Sequence, residues 1–157
     1  MKESGSSVII RRAEQRDIAA IIALFADDAV GGHGDTNDES ARPDYEAAFE
    51  AIAANPLSQI HVAELGGEVV GTFQTTIVTT MSGRGASSVL LSAVQTRRDM
   101  RSKGVGHAMI RHVVETARTS GAAFVQLTSN SLRTDAHRFY EREGFAKSHT
   151  GFKMKLR

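Results

Sequence analysis

The chain has 157 residues, of which 41% are hydrophobic and 24% are charged, and it contains no cysteine. This composition is typical of a globular protein with a buried core, and the absence of thiols excludes disulfides, cysteine nucleophiles and cysteine-ligated zinc. The formal net charge of +1, from 19 Lys and Arg against 18 Asp and Glu, provides no overall field that would attract nucleic acid or an anionic membrane.

The first residues and the absence of long apolar runs predict a cytoplasmic protein. Residues 1–7 are polar and lack the apolar centre of a signal peptide. No apolar run in the chain approaches the ~18 residues of a membrane span. We therefore expect a single domain over residues 1–157, of which residues 1–7 form a flexible N-terminus.

Hydrophobic periodicity predicts one strand and two helices in the first third of the chain. Val8 to Arg12 is typical of a short strand. Apolar residues then recur at helical spacing from Asp17 to about Ala29. A polar, glycine-rich loop follows over residues 31–40. Pro43 suits the first turn of a second helix, on which three large residues share one face: Tyr45, Phe49 and Ile52.

The remaining two thirds of the chain predict most of a sheet and two more helices. Five segments have the composition of strands: Ile60 to Leu65, Glu68 to Met81, Val89 to Thr96, Ala122 to Ser129 and Phe152 to Leu156. Two segments have helical periodicity: Gly104 to about Ser120, and Thr134 to Glu143. Strands Val89 to Thr96 and Ala122 to Ser129 flank a crossover helix and should therefore be parallel. We expect an α/β (α+β) fold with a mixed sheet and about four helices.

The turn between strand Val89–Thr96 and the following helix has the features of a phosphate-binding site. The first turn of a helix carries unpaired N–H groups and the positive end of the dipole. Gly104 and Gly106 open this helix without side chains that would hold an anion at a distance. The phosphate-binding P-loop motif is excluded because the chain has no Gly-Lys-Ser/Thr triplet. The dinucleotide-binding glycine motif is also excluded, because Met109 stands where its third glycine is required.

Two motifs together resemble the GNAT superfamily of N-acetyltransferases. The first is Arg101-x-x-Gly104-x-Gly106. The second is Ala136-His-Arg-Phe-Tyr140-Glu-Arg-Glu-Gly144-Phe145, which matches the family's recurrent Ala-x-x-x-Tyr-x-x-x-Gly-Phe. A helix and a strand separate the motifs, as in the family. The resemblance implies a GNAT-like domain that transfers an acetyl group from acetyl-CoA, its co-substrate, to an amine.

The resemblance also implies roles for particular residues. The strand end Val94, Gln95 and Thr96 would pair with the pantetheine arm, and a backbone N–H near Val94 would stabilise the oxygen that becomes negative. Tyr140 would contact the cofactor and protonate its leaving thiolate, as a phenol of pKa about 10 can for a thiol of about 8.5. The CoA pyrophosphate would be held by the loop and first helical turn: Arg101, Ser102, Lys103, Gly104, Val105, Gly106 and His107.

Two positions depart from the family pattern. Ser92 stands where many members carry a glutamate that acts as general base. An amine of pKa about 10.4 is neutral in only roughly one molecule in 2,500 at pH 7, so another group must deprotonate it, unless its pKa is low. Asp28 and His33 are the candidates for that role and for acceptor binding. Arg133 stands where an asparagine is expected, which leaves either Asn130 or Arg133 as the CoA contact.

The charged residues and histidines indicate less clearly which ligands the protein binds. The basic cluster of Arg97, Arg98, Arg101 and Lys103 is either solvated surface or a contact for the 3′-phosphate of CoA. The six histidines have no zinc-site spacing, so no metal is expected. Five acidic residues around the glycine-rich loop favour a cationic acceptor, although solvated loops have the same composition: Asp27, Asp28, Asp35, Asp38 and Glu39.

The sequence is compatible with three functions. The first is direct acetyl transfer in a ternary complex, because no cysteine is present to carry the acetyl group. The second is an acetyl-CoA-binding regulatory module without catalysis, which Ser92 favours and Tyr140 disfavours. The third, a nucleic-acid-binding domain, is disfavoured by the net charge. The expected partner is a small-molecule or peptide amine, with no nucleic acid and no membrane, and a homodimer stays open.

Overall fold

The computed structural model describes residues 7–28 and 33–157. The predicted flexible start, the end of the first predicted helix at Ala29 and part of the glycine-rich loop lie outside the described residues. The chain divides into two compact units, one that ends at Leu127 and one that runs from Thr128 to Arg157. The single domain therefore stays a prediction.

The described residues of the first unit form a five-stranded sheet and three helices longer than a single turn. In chain order its elements are β1 (Ile9–Arg12), α1 (Ile18–Ala26), α2 (Arg42–Ala54), β2 (Ser58–Leu65), β3 (Glu68–Thr79), β4 (Ser87–Thr96), α3 (Val105–Thr119) and β5 (Phe124–Gln126). The strands lie in the order β1-β2-β3-β4-β5. Neighbours are antiparallel except for β4 and β5, which are parallel and joined through α3. The predicted mixed sheet and crossover are confirmed.

Helix α3 packs closely on the sheet because of a glycine opposite it. The helix buries one apolar stripe: Val105, Met109, Ile110, Val113 and Ala117. On β3, a Cβ added to Gly71 would lie 3.0 Å from Sδ of Met109 and 3.2 Å from the carbonyl oxygen of Gln95. A side chain at Gly71 would displace the end of the Met109 side chain and crowd the carbonyl of Gln95. This glycine therefore leaves room for Met109 of α3 against β3.

A cluster of three rings lies between the sheet and α3, away from that loop. His61 on β2 stacks on Phe73 of β3, with ring centroids 4.9 Å apart, and its centroid lies 5.2 Å from that of His112 on α3. His61 is only 8% exposed, and its Nδ1 is buried without a hydrogen-bond partner. Burial, with the nearby His112 and Arg12 as smaller causes, lowers the pKa of His61 to about 4. The three rings line a cavity of about 70 Å³.

The second unit contains α4 (Thr134–Arg142) and an extended C-terminal stretch. Helix α4 ends as predicted, with Gly144 at φ 104° just after it. The predicted strand Phe152–Leu156 is wrong for the described chain, which has no strand there. The apolar alternation is present, but a strand also needs a neighbour to pair with, and Phe152 is 95% exposed.

The strands next to the crossover helix differ in length from the prediction. The predicted strand Ala122–Ser129 is shortened to Phe124–Gln126. Between β3 and β4 the chain forms one helical turn, Ser82–Gly85, in which Gly83 and Arg84 have positive φ. Over the part of the chain that the structure describes, no helix has the length and apolar character that crossing a bilayer requires.

Candidate active site

Strand β4 contains an irregularity where the sequence predicted the acyl group to be bound. The register with β3 runs from Gln74↔Ser92 to Thr72↔Gln95, so Ala93 and Val94 together face only one residue, Phe73. Ala93 has φ 52°, in the left-handed region that non-glycine residues rarely adopt. This is a β-bulge, which leaves a residue outside the ladder and redirects its backbone groups.

The bulge coincides with an open strand edge. On its other side, β4 pairs with β5 only from Ser88 to Leu90. Beyond Leu90, the β4 edge as far as Thr96 has no neighbouring strand among the described residues. Main-chain groups near Val94, Gln95 and Thr96 are therefore placed where an extended ligand could pair with them.

The loop after β4 turns directly into α3. Its first N–H, from Arg97, donates to the carbonyl of Val70 at 2.7 Å and so continues the sheet. A 3₁₀ turn follows at Arg98–Met100. Ser102 has φ 61° and Gly104 has φ 84°, so the chain twice adopts the left-handed conformation just before the helix. Such conformations orient successive N–H groups toward one side and form a concavity that suits an anion.

Gly104 has both the conformation and the space that an anion site requires. It is the N-cap of α3, and no atom lies within 4 Å of the place where its Cβ would stand, outside its chain neighbours. Its carbonyl accepts the N–H of Ala108 at 3.0 Å. The N–H groups of Val105 and Gly106, in the first helical turn, have no carbonyl one turn earlier in the helix to receive them. These N–H groups are the ones that the predicted pyrophosphate site would use.

The four basic residues of this region divide into two pairs. Arg97 contacts Asp99 at 2.7 Å and Glu68 at 3.3 Å, and Arg98 lies 3.5 Å from the carboxylate of Asp27. Arg101 donates to the carbonyl of Thr96 at 3.4 Å, and Lys103 is exposed. Within residues 7–28 and 33–157, no carboxylate forms an ion pair with Arg101 or Lys103. These two cations are therefore available to an anionic ligand.

Asp28 lies beside the end of β4, whereas His33 is exposed. The side-chain amide of Gln95 donates to Oδ2 of Asp28 at 2.9 Å, across a separation of 67 residues in sequence. Asp28 follows α1, so this contact connects the end of α1 to the bulged strand. Gln95 was predicted only for its main chain. The contact of its side chain with Asp28 was not predicted, because strand periodicity gives no information on contacts between distant parts of the chain.

Ser92, which stands where many family members carry a glutamate base, lies within the β3–β4 ladder. Ser92 pairs with Gln74 on β3 and is half-buried. Its hydroxyl cannot take a proton from an ammonium group at neutral pH. Asp28 is the carboxylate that the structure brings into hydrogen-bond contact with this end of β4.

In the second unit, Tyr140 lies on α4 among aromatic rings. Its ring centroid is 5.3 Å from that of Phe139 and 5.7 Å from that of Phe145, the latter edge-on. Burial raises the pKa of Tyr140, and the positive charge of Arg133 opposes that shift. The phenol is therefore protonated at neutral pH, as a proton donor must be.

Asn130 organises the approach to α4. Its Oδ1 accepts the N–H of Leu132 at 2.9 Å, and its carbonyl accepts the N–H of Arg133 at 2.9 Å. The ring Nε2 of His137 also lies 2.9 Å from that carbonyl. Asn130 thus has a local structural role, and its predicted contact with CoA stays a prediction.

The chain matches the model of the acetyltransferase (GNAT) family over residues 10–145. It belongs to the GNAT family. It is 34% identical over 116 residues to the aminoalkylphosphonate N-acetyltransferase of Salmonella typhimurium, with 72% of this chain and 75% of that protein covered. This GNAT chain is also similar to a solved structure described as a transcriptional regulator from Bacillus halodurans, with 31% identity, a TM-score of 0.91 and coverage of 96% and 100%.

A more distant structure agrees in fold. It is AAC(6')-Iy, solved with the bisubstrate analogue CoA-S-monomethyl-acetylneamine, at 17% identity and a TM-score of 0.77, with 97% and 99% of the two chains covered. The protein is accordingly an acyl-CoA-dependent N-acetyltransferase with acetyl-CoA as co-substrate. Acetyl transfer is thus favoured over the nucleic-acid-binding and non-catalytic alternatives.

Proposed function

We propose that this GNAT enzyme acetylates a small aliphatic amine that arrives as a cation, by direct transfer in a ternary complex with acetyl-CoA. The observation that carries this proposal is the carboxylate of Asp28 beside the bulged end of β4, held at 2.9 Å by Gln95. A carboxylate attracts an ammonium group and can receive its proton. The similarity to an enzyme named for aminoalkylphosphonates supports a small acceptor with an aliphatic amine.

The proposed acetyl-CoA site is formed mainly by main-chain groups of the first unit. Main-chain groups of Val94, Gln95 and Thr96 pair with the pantetheine arm. The pyrophosphate is held by N–H groups and two cations of the loop and first helical turn: Arg101, Ser102, Lys103, Gly104, Val105, Gly106 and His107. These backbone contacts need no particular side chains except at Gly104, where φ is 84°.

Each chemical step then has a residue of this chain assigned to it. Asp28, directly or through water, takes a proton from the ammonium group and frees its lone pair to attack the thioester carbonyl carbon. The N–H at Val94, beside the bulge, stabilises the oxygen as the C–N bond forms and that oxygen becomes negative. Tyr140 donates its proton to the sulfur as the C–S bond breaks, and CoA leaves as a thiol. His33 is the alternative proton acceptor, and either Asn130 or Arg133 contacts CoA.

The chain itself simplifies the test, because it contains no thiol. Release of CoA from acetyl-CoA can be followed with a thiol reagent without background from the protein. The amines compared are aminoalkylphosphonates, polyamines, aminoglycosides, amino acids and peptides with a free N-terminus. We expect turnover with a small aliphatic amine and a product of the mass of its N-acetyl form. Turnover confined to peptides, or to amines that are neutral at the assay pH, would refute the proposed acceptor.

A further inference from the structure

The side chains of β4 change faces at the β-bulge. Along a strand, side chains alternate between the two faces of the sheet, and directly opposed residues of an antiparallel pair share a face. Ser92 opposes Gln74, and Gln95 opposes Thr72, which lies two residues from Gln74 and hence on the same face. In a regular strand, Ser92 and Gln95, three residues apart, would lie on opposite faces. The extra residue of the bulge therefore places the Gln95 side chain on the face of Ser92.

That face is the one directed away from α3. If the ladder continued regularly from Gln74 and Ser92, Gln95 would oppose Gly71 of β3. The Gly71 position faces α3, because a Cβ there would lie 3.0 Å from Sδ of Met109. Gln95 would then point toward α3, where Met109 already fills the space. With the bulge, its side chain points to the other side of the sheet.

On this other side, Gln95 reaches the segment that follows α1. Helix α1 packs against β3 and β4. The side-chain Nε2 of Gln95 donates to Oδ2 of Asp28 at 2.9 Å, in a partly buried position. One residue earlier, the carboxylate of Asp27 lies 3.5 Å from Arg98, which follows β4. Two contacts between neighbouring residues thus hold the end of α1 beside the end of β4.

The amide of Gln95 suits a carboxylate that has to bind an ammonium group. A hydrogen bond donated to a carboxylate favours its charged form and fixes its orientation. An ionised carboxylate has about four lone-pair sites, so one donor at Oδ2 of Asp28 leaves capacity for the ammonium group of an acceptor. Ser92, on the same face of β4, carries no charge. The carboxylate on this face of the strand end is therefore supplied by the segment after α1 and held by Gln95.

We propose that Gln95 is a positioning residue for acetyl transfer, whose side chain, turned by the bulge, places Asp28 relative to the thioester and keeps it ionised. The inference rests on the proposed role of Asp28 as proton acceptor. The main chain of Gln95 is also part of the strand end that would pair with pantetheine. One residue therefore fixes both the cofactor arm and the carboxylate, and an error in the position of either would misalign the amine with the carbonyl carbon.

Two variants of Gln95 test this role through the pH profile of kcat/KM for the amine. Gln95→Met keeps the length of the side chain and the main chain but removes the donor. We expect kcat/KM to fall about 10-fold, the Kd for acetyl-CoA to stay unchanged, and the acidic limb of the profile to move to higher pH. Gln95→Glu places a second carboxylate beside Asp28 and should move that limb further. The neighbouring charges of Asp27 and Arg98 are the same in every variant.

Gln59→Met is the matched control, because it makes the same exchange on β2, where Gln59 opposes Thr75 and lines the cavity under α3. It should leave kcat/KM and the pH profile as in wild type, and thermal melts establish that each variant is folded. If both Gln95 variants are folded and keep the wild-type profile while Asp28→Asn loses activity, the positioning role is overturned and the proposed function stands. If Asp28→Asn also keeps the wild-type rate and profile, both are overturned.

Discussion

The side-chain amide of Gln95 donates a 2.9 Å hydrogen bond to the carboxylate of Asp28. Gln95 lies two residues after Ala93, whose φ of 52° marks the β-bulge, and Asp28 lies just after α1. The contact therefore connects the strand end that would bind pantetheine to the segment that would bind the acceptor. One carboxylate thereby joins the two halves of the proposed site.

Replacing Asp28 with Asn should impair use of the acceptor and spare binding of acetyl-CoA. Asn keeps the size of the side chain and can still contact Gln95, but it loses the negative charge. The variant loses a charged hydrogen bond to the ammonium group, which contributes about 1.5–3 kcal/mol, and also the proposed proton acceptor, so kcat/KM for the amine should fall at least about 10- to 100-fold. The Kd for acetyl-CoA, measured by calorimetry, should be unchanged.

Asp27→Asn is the matched control for this prediction. The same charge is removed one residue earlier, where the carboxylate lies 3.5 Å from Arg98 and is 52% exposed. Its effect on kcat/KM should be small, because an exposed ion pair contributes little. Equal losses in the two variants would mean that the general acidity of this region, and not Asp28, attracts the amine.

Replacing Gly104 with Val should remove most of the stabilisation that acetyl-CoA gives. The valine Cβ would occupy the open space at the start of α3, and φ 84° disfavours a β-branched residue. Saturating acetyl-CoA at about 100 times its Kd stabilises the native protein by about 2.7 kcal/mol, and the variant should lose most of the corresponding shift in melting temperature.

Gly121→Val is the control that distinguishes backbone strain from loss of acetyl-CoA binding in the Gly104 variant. Gly121 has φ 78°, also has open space around its Cβ position, and lies at the opposite end of the same helix. Both variants should melt at a lower temperature without ligand. Only the Gly104 variant should then fail to respond to acetyl-CoA. If ATP or dephospho-CoA shifts the wild-type melting temperature as far as acetyl-CoA does, the assignment of the loop to CoA is wrong.

Replacing Tyr140 with Phe should slow turnover without unfolding the protein. Phe keeps the ring and its contacts with Phe139 and Phe145, but it cannot donate a proton. If Tyr140 is the general acid, kcat should fall by a factor on the order of 10² to 10⁴, and acetyl-CoA affinity should change little. Steady-state rates and thermal melts of the variant measure both effects.

The leaving group provides a further control for Tyr140. An activated acetyl thioester whose thiol has a low pKa leaves without protonation, so the variant should recover most of its rate with that donor. Tyr45→Phe removes the other tyrosine hydroxyl, which contacts Asp35 at 2.7 Å, and should show no such dependence on the donor. Unchanged turnover of the Tyr140 variant with acetyl-CoA would remove Tyr140 from the mechanism.

The buried His61 should make the protein less stable as the pH falls below neutrality. Its pKa is about 4 in the folded protein, against about 6.5 in an unfolded chain. Above pH 6.5 neither state holds the proton. Between pH 6.5 and 4 only the unfolded state binds it, so the free energy of unfolding falls progressively across this interval. From pH 7 to pH 5 the loss should be on the order of 2 kcal/mol.

His61→Phe should flatten this pH dependence, because it keeps a ring stacked on Phe73 and removes the titrating group. Denaturant unfolding at pH 7 and pH 5 measures the effect. In the control variant His149→Phe, an exposed histidine is lost, and the dependence should resemble that of the wild type. Burial also lowers the pKa of His112, so a residual slope in the His61 variant is expected. An identical slope in wild type and His61→Phe contradicts the prediction.

Local sequence information was sufficient to predict the family, the order of the elements as far as α4, and the loop at which we propose that phosphate binds. These follow from local information: apolar periodicity, and glycines at positions whose backbone angles and space other residues cannot satisfy. Gly104 at φ 84° and Gly144 at φ 104° are where the two motifs required them. The parallel pairing of β4 and β5 followed from the single helix between them.

Contacts between residues that are far apart in the chain could be seen only in the folded protein. The bulge at Ala93, the approach of Met109 to Gly71, the burial of His61 and the bond between Gln95 and Asp28 all depend on register and packing, which periodicity does not encode. The same limit explains the wrong strand at Phe152–Leu156. Alternation shows that a segment is able to form a strand, but whether it does so depends on an edge to pair with, which lies elsewhere in space.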